Sequence, residues 1–172
     1  MSDTHPAALD IEKLLRDCQC RRTRRGGPGG QHRNKVETAF IIEHVPSGVI
    51  AEANERRSQA ENRAEAILRL RTRLAVQVRS PITPETPLSA LWRRRASGGR
   101  LQVSAAHEDF PALLAEALDW LAAIDFHASE AAERLGVSTS SLVNLIAKSP
   151  EALVQVNASR AARGLPKLRG RG

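Results

Sequence analysis

Gly26-Gly27-Pro28-Gly29-Gly30-Gln31-His32-Arg33-Asn34-Lys35 is a stretch that no regular helix or strand can hold. Four glycines in five residues surround one proline. Without a Cβ, the backbone can take positive φ and approach another molecule closely. One glutamine closes the run. Arg21, Arg22, Arg24 and Arg25 precede it, and Arg33 and Lys35 follow. Such a loop is suited to push main chain and a single amide side chain into a crowded, negatively charged place.

The flanking sequence gives the loop a scaffold. Leu14 to Arg22 is expected to be the strand leading in. Thr38 to Val45 is apolar and β-branched enough for a second strand, Pro46-Ser47-Gly48 is a turn signal, and Val49 to Ala53 returns as a third. From Ser58 to Arg79 there is neither Gly nor Pro. Ala64, Ile67, Leu70, Leu74 and Val78 recur there at helical spacing, which predicts one long amphipathic helix with Ser58 as its N-cap. The expected fold class is α+β: a small sheet with one long helix, followed by a small all-α module.

The boundaries expected are a first domain over 1–80, a Pro- and Arg-rich linker over 81–106, a helical module over 107–164 and a basic tail over 165–172. Pro81, Pro84 and Pro87 bar a continuous helix from the linker. In the helical module, Leu114, Ala117, Leu118, Leu121 and Ile124 share one face. The run from Ala128 to Ile146 is similar to a helix-turn-helix, with Gly136 in the turn and Ser138 opening the second helix. Ser149-Pro150 predicts the start of a last helix, ending near Gly164. Charge divides the same way: basic around the glycine stretch, acidic from His107 to Ala158, basic again at Arg163, Lys167, Arg169 and Arg171.

Four blocks in order carry a family resemblance: Gly-Pro-Gly-Gly-Gln at 27–31, His44-Val45-Pro46-Ser47-Gly48, Arg57-Ser58-Gln59, and Asn62-Arg63. Together they resemble the hydrolase domain of class I peptide chain release factors, over roughly residues 14 to 80. A lone Gly-Gly-Gln would be weak evidence; the ordered blocks make it strong. The resemblance implies ribosome-dependent hydrolysis of the peptidyl-tRNA ester. Gly29, Gly30 and Gln31 are then catalytic: the Gln31 N–H stabilises the tetrahedral intermediate, and its side chain shapes the pocket for water. Arg21, Arg22, Arg24, Arg25, Arg33, Lys35, Arg57 and Arg63 are the candidate ribosome and RNA contacts, with the basic tail Arg163, Lys167, Arg169 and Arg171 beside them. Two departures stand out. His32-Arg33 occupies the step between Gln and Asn where many members have Val, and Gly26 stands where many have Ser. Both leave the glutamine in place.

Codon-reading members carry further domains with recognition tripeptides, P-x-T or S-P-F. The chain is expected to be too short to hold those domains and to contain neither tripeptide. The chain therefore resembles the short, codon-independent members that rescue stalled ribosomes. The alternative is a non-catalytic ribosome- or RNA-binding factor that keeps the fold.

Composition bounds the rest. The chain has 172 residues, a net charge of +7 and a pI near 10.6, which favours a polyanionic partner. With no Tyr, three Phe and two Trp, aliphatic side chains must fill the core. No apolar run is long enough to cross a membrane, and the N-terminus reads as neither signal nor transit peptide. Cys18 and Cys20 are the only cysteines and are expected to be reduced thiols; a zinc site would need two more ligands. Neither metal nor cofactor is expected, and the loop holds no Ser-His-Asp or Cys-His arrangement. A cytoplasmic monomer acting on the ribosome and peptidyl-tRNA is expected. Sequence-specific DNA is disfavoured, because the second helix of the helix-turn-helix-like run offers Ser and Thr where Arg or Lys would read bases.

Overall fold

The computed structural model describes residues 4–23 and 39–171. Among them are seven α-helices and two small antiparallel sheets, a mixed α and β architecture. A 3-10 turn, Pro6–Ala8, leads into α1, Ile11–Arg16, and then β1, Cys18–Thr23. The strand expected from Leu14 thus starts only at Cys18. Leu14 belongs to α1 and is fully buried. Glu12 in the first turn of α1 and Lys13 and Arg16 in its last complement the helix dipole, which favours a helix over the Leu14-Leu15 pair.

β1 pairs with β2, Ala39–His44, and β2 with β3, Val49–Ala53, giving the order β1-β2-β3. Phe40, Ile42 and His44 of β2 and Val49, Ala51 and Ala53 of β3 are buried on one face. Against that face lies α2, Gln59–Gln77, N-capped by Ser58, whose hydroxyl accepts from the Glu61 N–H at 3.4 Å. Its buried face is wider than the expected stripe and is displaced from it. It includes Asn62, Ala66, Arg71 and Ala75, while Ala64 is exposed. The reason is tertiary: α2 is covered by the sheet and by α4, Phe110–Ala123.

Between α2 and α4 run α3, Ala90–Arg95, and the two-residue strands β4, Ala96–Ser97, and β5, Arg100–Leu101. This stretch is packed. Trp92 is fully buried and its indole N–H donates to the Leu135 carbonyl at 2.8 Å. Three helices follow: α5, Ala128–Arg134; α6, Thr139–Ala147; and α7, Pro150–Ala161. Gly136, between α5 and α6, has φ +66°, a left-handed value that L side chains resist. Ser138 and Ser149 cap α6 and α7 with their hydroxyls. One apolar cluster runs from Ile42 and Leu70 through Trp92 and Leu114 to Ile146.

Three buried polar groups tie the parts together. Arg71 donates to the Ala7 carbonyl at 3.0 Å and the Glu108 carbonyl at 2.9 Å. Asp119, 4% exposed, accepts from Arg79 at 2.9 Å and from the Ser80 N–H at 3.1 Å. His5 accepts from the Ala7 N–H on Nδ1 at 3.0 Å, so Nε2 carries the proton and donates to the Val78 carbonyl at 3.0 Å.

Two predictions follow from these ties. Asp119→Ala takes the carboxylate from Arg79, which is partly exposed and keeps the Ala75 and Val76 carbonyls, and from the Ser80 N–H, and a loss of ~2 kcal/mol of unfolding free energy is expected in urea titrations. Deleting the exposed Lys13–Asp10 pair is expected to cost less than ~1 kcal/mol in the same assay. His5 is the second. Burial, with Arg79 nearby, lowers its pKa, against the bond to Val78. Its stabilising contribution is therefore complete above the unfolded pKa near ~6.5 and is lost as pH falls through the folded one. Burial pushes the Asp119 carboxyl up to about 6, against the pull of Arg79, so its contribution has the opposite sign and fades as pH rises. The stability gap between wild type and His5→Ala isolates the first effect. It is expected to shrink when denaturation is repeated at pH 5 instead of pH 7.5; a gap that does not change would show that His5 does not carry the acid sensitivity.

Candidate functional site

The glycine stretch is the connection between β1 and β2. Thr23, the last residue of β1, pairs with Ala39, the first of β2, so the chain leaves and re-enters the sheet at adjacent positions. Gly29, Gly30 and Gln31 lie between them, outside the described residues, as do Arg24, Arg25, Arg33 and Lys35. Arg21 and Arg22 are described and exposed. Arg22 pairs with Phe40 and shares its α2-facing side; Arg21 pairs with Ile41 on the opposite side. A cation thus stands on each face of β1, one and two residues before its end. β1 is an edge strand with only β2 beside it.

Cys18 and Cys20 lie on the same strand, two residues apart, and are free thiols. Burial first, then the nearby Cys20 and Asp17, pushes the Cys18 thiol up to about 11. It is protonated at neutral pH and is no activated nucleophile.

The two motif blocks after the loop brace the scaffold. In His44-Val45-Pro46-Ser47-Gly48, the imidazole Nδ1 and the Ser47 hydroxyl are 2.7 Å apart. The Gly48 N–H closes the turn on the His44 carbonyl at 2.8 Å, with Gly48 at φ +69°. Burial lowers the His44 pKa against the pull of Asp17. In the second block, Asn62 is fully buried. Its Oδ1 accepts from the Arg56 N–H at 2.9 Å, and its Nδ2 donates to the Arg56 carbonyl at 3.0 Å. The side chain thus fixes the backbone just before α2. Arg69 ties the same corner to the sheet, donating to the Glu52 carbonyl and to Glu55 and Glu65.

Arg57 and Arg63 are exposed at the start of α2, apart in sequence from the β1 arginines. Arg63 lines a groove of about 550 Å³ that also holds Glu61, Glu65 and Glu108. The four cations expected in the basic tail have different settings. Arg163 lies 4.7 Å over the Phe126 ring and 3.6 Å from Asp125. Residues 165–171 run back along α7 and α6. Asn157 pairs with the Leu168 N–H and carbonyl at 2.7 and 3.1 Å, and Asn144 accepts from the Arg171 N–H at 3.1 Å. Sequence reading missed this docking; Asn157 and Asn144, on helices α7 and α6, gave no signal of a partner so far along the chain.

Among the described residues no three His, Cys, Asp or Glu side chains are grouped to hold a metal ion. No described helix is long and apolar enough to cross a membrane.

The RF-1 domain family matches residues 8–98. Among curated proteins, the chain is 51% identical over 66 residues to peptide chain release factor 1 of Chloroherpeton thalassium, covering 38% of this chain and 18% of that one. It is 46% identical over 69 residues to the chloroplastic peptide chain release factor PrfB1 of Arabidopsis thaliana, covering 40% and 15%. Against peptide chain release factor 1 of Acidiphilium cryptum the values are 43% over 72 residues, covering 42% and 20%. The chain thus spans about a fifth or less of these relatives' length. One feature of the connection after α2 corrects the expectation from sequence. Pro81-Ile82-Thr83 and Pro84-Glu85-Thr86 both have the P-x-T spelling. Their threonine hydroxyls are 3.3 Å apart, and the Thr86 N–H bonds the Thr83 carbonyl at 2.9 Å, closing a turn.

Proposed function

From the premise that the chain belongs to the RF-1 domain family, we propose that it releases nascent peptides on the ribosome by hydrolysing the peptidyl-tRNA ester. Water attacks the ester carbonyl carbon. The bond from that carbon to the terminal ribose oxygen breaks, and the water's proton ends on the ribose oxygen. Gln31 supplies the N–H that meets the developing oxyanion and the amide that shapes the water pocket. Gly29 and Gly30 allow the close approach. The ribosome and the tRNA ribose supply the proton relay, since the loop carries no nucleophile-and-base pair and Cys18 is held protonated.

The observation that carries this reading is the placement of Gly29-Gly30-Gln31 in the β1–β2 connection, with Arg21 and Arg22 exposed at its base. Phosphate contacts from such cations give affinity and position without sequence choice. We assign roles to the expected segments accordingly: hydrolysis to 1–80, spacing to 81–106, and docking to 107–164 with the tail 165–172. These are divisions of role, since one apolar cluster joins the segments. Rescue of stalled ribosomes, without stop-codon reading, in the cytoplasm and as a monomer, is the finer form of the proposal.

The test is release of labelled peptide from purified ribosomes, compared on truncated-message complexes, stop-codon complexes and isolated large subunits. Release on truncated-message or large-subunit complexes, and independent of a stop codon, supports the rescue form. Release only at a stop codon would overturn that form and turn attention to the two P-x-T tripeptides. Binding to ribosomes with no release on any complex would overturn the hydrolase and leave a non-catalytic factor.

A further inference from the structure

A polar groove of about 630 Å³ lies between β5, α6 and the end of the tail, on the opposite half of the sequence from the glycine stretch. Arg100, Lys148 and Arg171 line it, with Gln102, Ser140 and Asn144 among its polar residues and no Asp or Glu. This is unexpected in a half that is rich in carboxylates. Five of those carboxylates are engaged elsewhere. Asp109 pairs with Arg95, Glu116 with Ser89, Asp119 with Arg79, Asp125 with Arg163, and Glu151 with Gln77. The Arg100 and Arg171 guanidinium groups have no protein partner among the described residues. Lys148 donates to the Val103 carbonyl.

The cations are strung along α6, which is about 14 Å long. Arg100 stands by its N-terminal end, where Gly99 accepts from the Ser138 N–H at 2.7 Å and the Ser141 hydroxyl accepts from the Leu101 N–H at 2.9 Å. Arg171 lies beside Asn144 in the last turns, and Lys148 follows the C-terminal end. A row of charges over more than two turns suits a chain of phosphates better than one anion. The tail position is built: a Cβ at Gly170 would meet the Ala147 Cβ at 2.3 Å, so only glycine lets residue 171 reach the groove in this path. Base reading has little to work with. Of the α6 side chains in the groove, only Asn144 has an amide, and its oxygen already holds the Arg171 N–H.

We propose that this groove binds the sugar-phosphate backbone of an RNA strand and anchors the C-terminal half to RNA independently of the glycine stretch. That the groove takes a phosphate backbone follows from its charge and shape. That the strand is RNA rests on the release-factor reading.

The test is an amide NMR titration of the full chain with a ten-nucleotide RNA and with DNA of the same sequence. The amides of Gln102, Ser140, Ser141 and Asn144 are expected to shift, with affinity falling steeply as salt rises. Arg100→Ala with Arg171→Ala is expected to weaken binding at these amides by about tenfold, and Arg134→Ala, outside the groove, by less than about twofold. Gly170→Ala is expected to weaken it as well, and adding Ala147→Gly to restore it; that rescue separates groove assembly from general misfolding. Groove amides that stay still while RNA binds elsewhere would overturn the proposal, as would an unchanged double variant. Tighter DNA than RNA binding would overturn the choice of RNA. The titration needs neither ribosome nor hydrolysis. Groove binding without peptide release would therefore sink only the hydrolase, and release without groove binding only the groove.

Discussion

Replacing Gln31 by proline is expected to lower peptide release by about 10²–10³-fold, the range seen when one oxyanion donor is removed. Proline deletes the backbone N–H assigned to the developing oxyanion. Gln31→Ala is the informative partner. It keeps that N–H and removes only the amide that shapes the water pocket. The alanine variant is expected to release more slowly than wild type, faster than the proline variant, and with greater access for small nucleophiles other than water. Labelled-peptide release, with and without added hydroxylamine, reads all three features. Arg21→Ala with Arg22→Ala should act differently: those residues are assigned to position, so ribosome affinity and its salt dependence should fall before the rate of the bound complex does. Full release by both Gln31 variants would remove the catalytic assignment altogether.

Trp92→Ala is expected to cost ~4 kcal/mol of unfolding free energy, the largest stability effect of any single replacement considered. Trp92 is fully buried in α3, in the stretch that composition marks as a connection. Truncation leaves a cavity between that stretch and the start of the α5–α6 turn and strips the Leu135 carbonyl of its indole donor. A loss of this size is a large fraction of the ~5–15 kcal/mol that holds a domain folded. Trp92→Phe separates the two terms, filling most of the space while still leaving Leu135 without its donor. Urea denaturation followed by circular dichroism measures both. A change below ~1 kcal/mol for the alanine variant would mean that α3 is not integral to the packed structure.

Local chemistry made several elements legible. Pro46-Ser47-Gly48 between two apolar runs spells a hairpin, and the structure has one between β2 and β3. Ser58, Ser138 and Ser149 each precede a helical pattern, and each hydroxyl caps its helix. Gly136 sits at positive φ where the chain turns from α5 to α6. Leu14 misled, because two leucines before Cys18 and Cys20 fit a strand as well as the end of a short helix. Nothing in its own segment says that Leu14 is buried in the common apolar cluster. The candidate site divides the same way. The Gly-Gly-Gln spelling is readable because its chemistry is compact in sequence. The buried Asn62 clamp is half readable, since it lies six residues from its partner Arg56. The Arg100–Lys148–Arg171 groove is not readable, because its members are spread over three elements.

The sequence alone thus determined the local elements and the family: turn residues, caps and apolar periods act within a few residues, and the motif blocks lie in one short span. Only tertiary structure decided that α2 is buried on two sides, that residues 80–106 pack through Trp92, and that the tail folds back so that Gly170 meets Ala147. Each of these depends on contacts between residues tens of positions apart, where burial and close packing choose among arrangements that local propensity leaves equal.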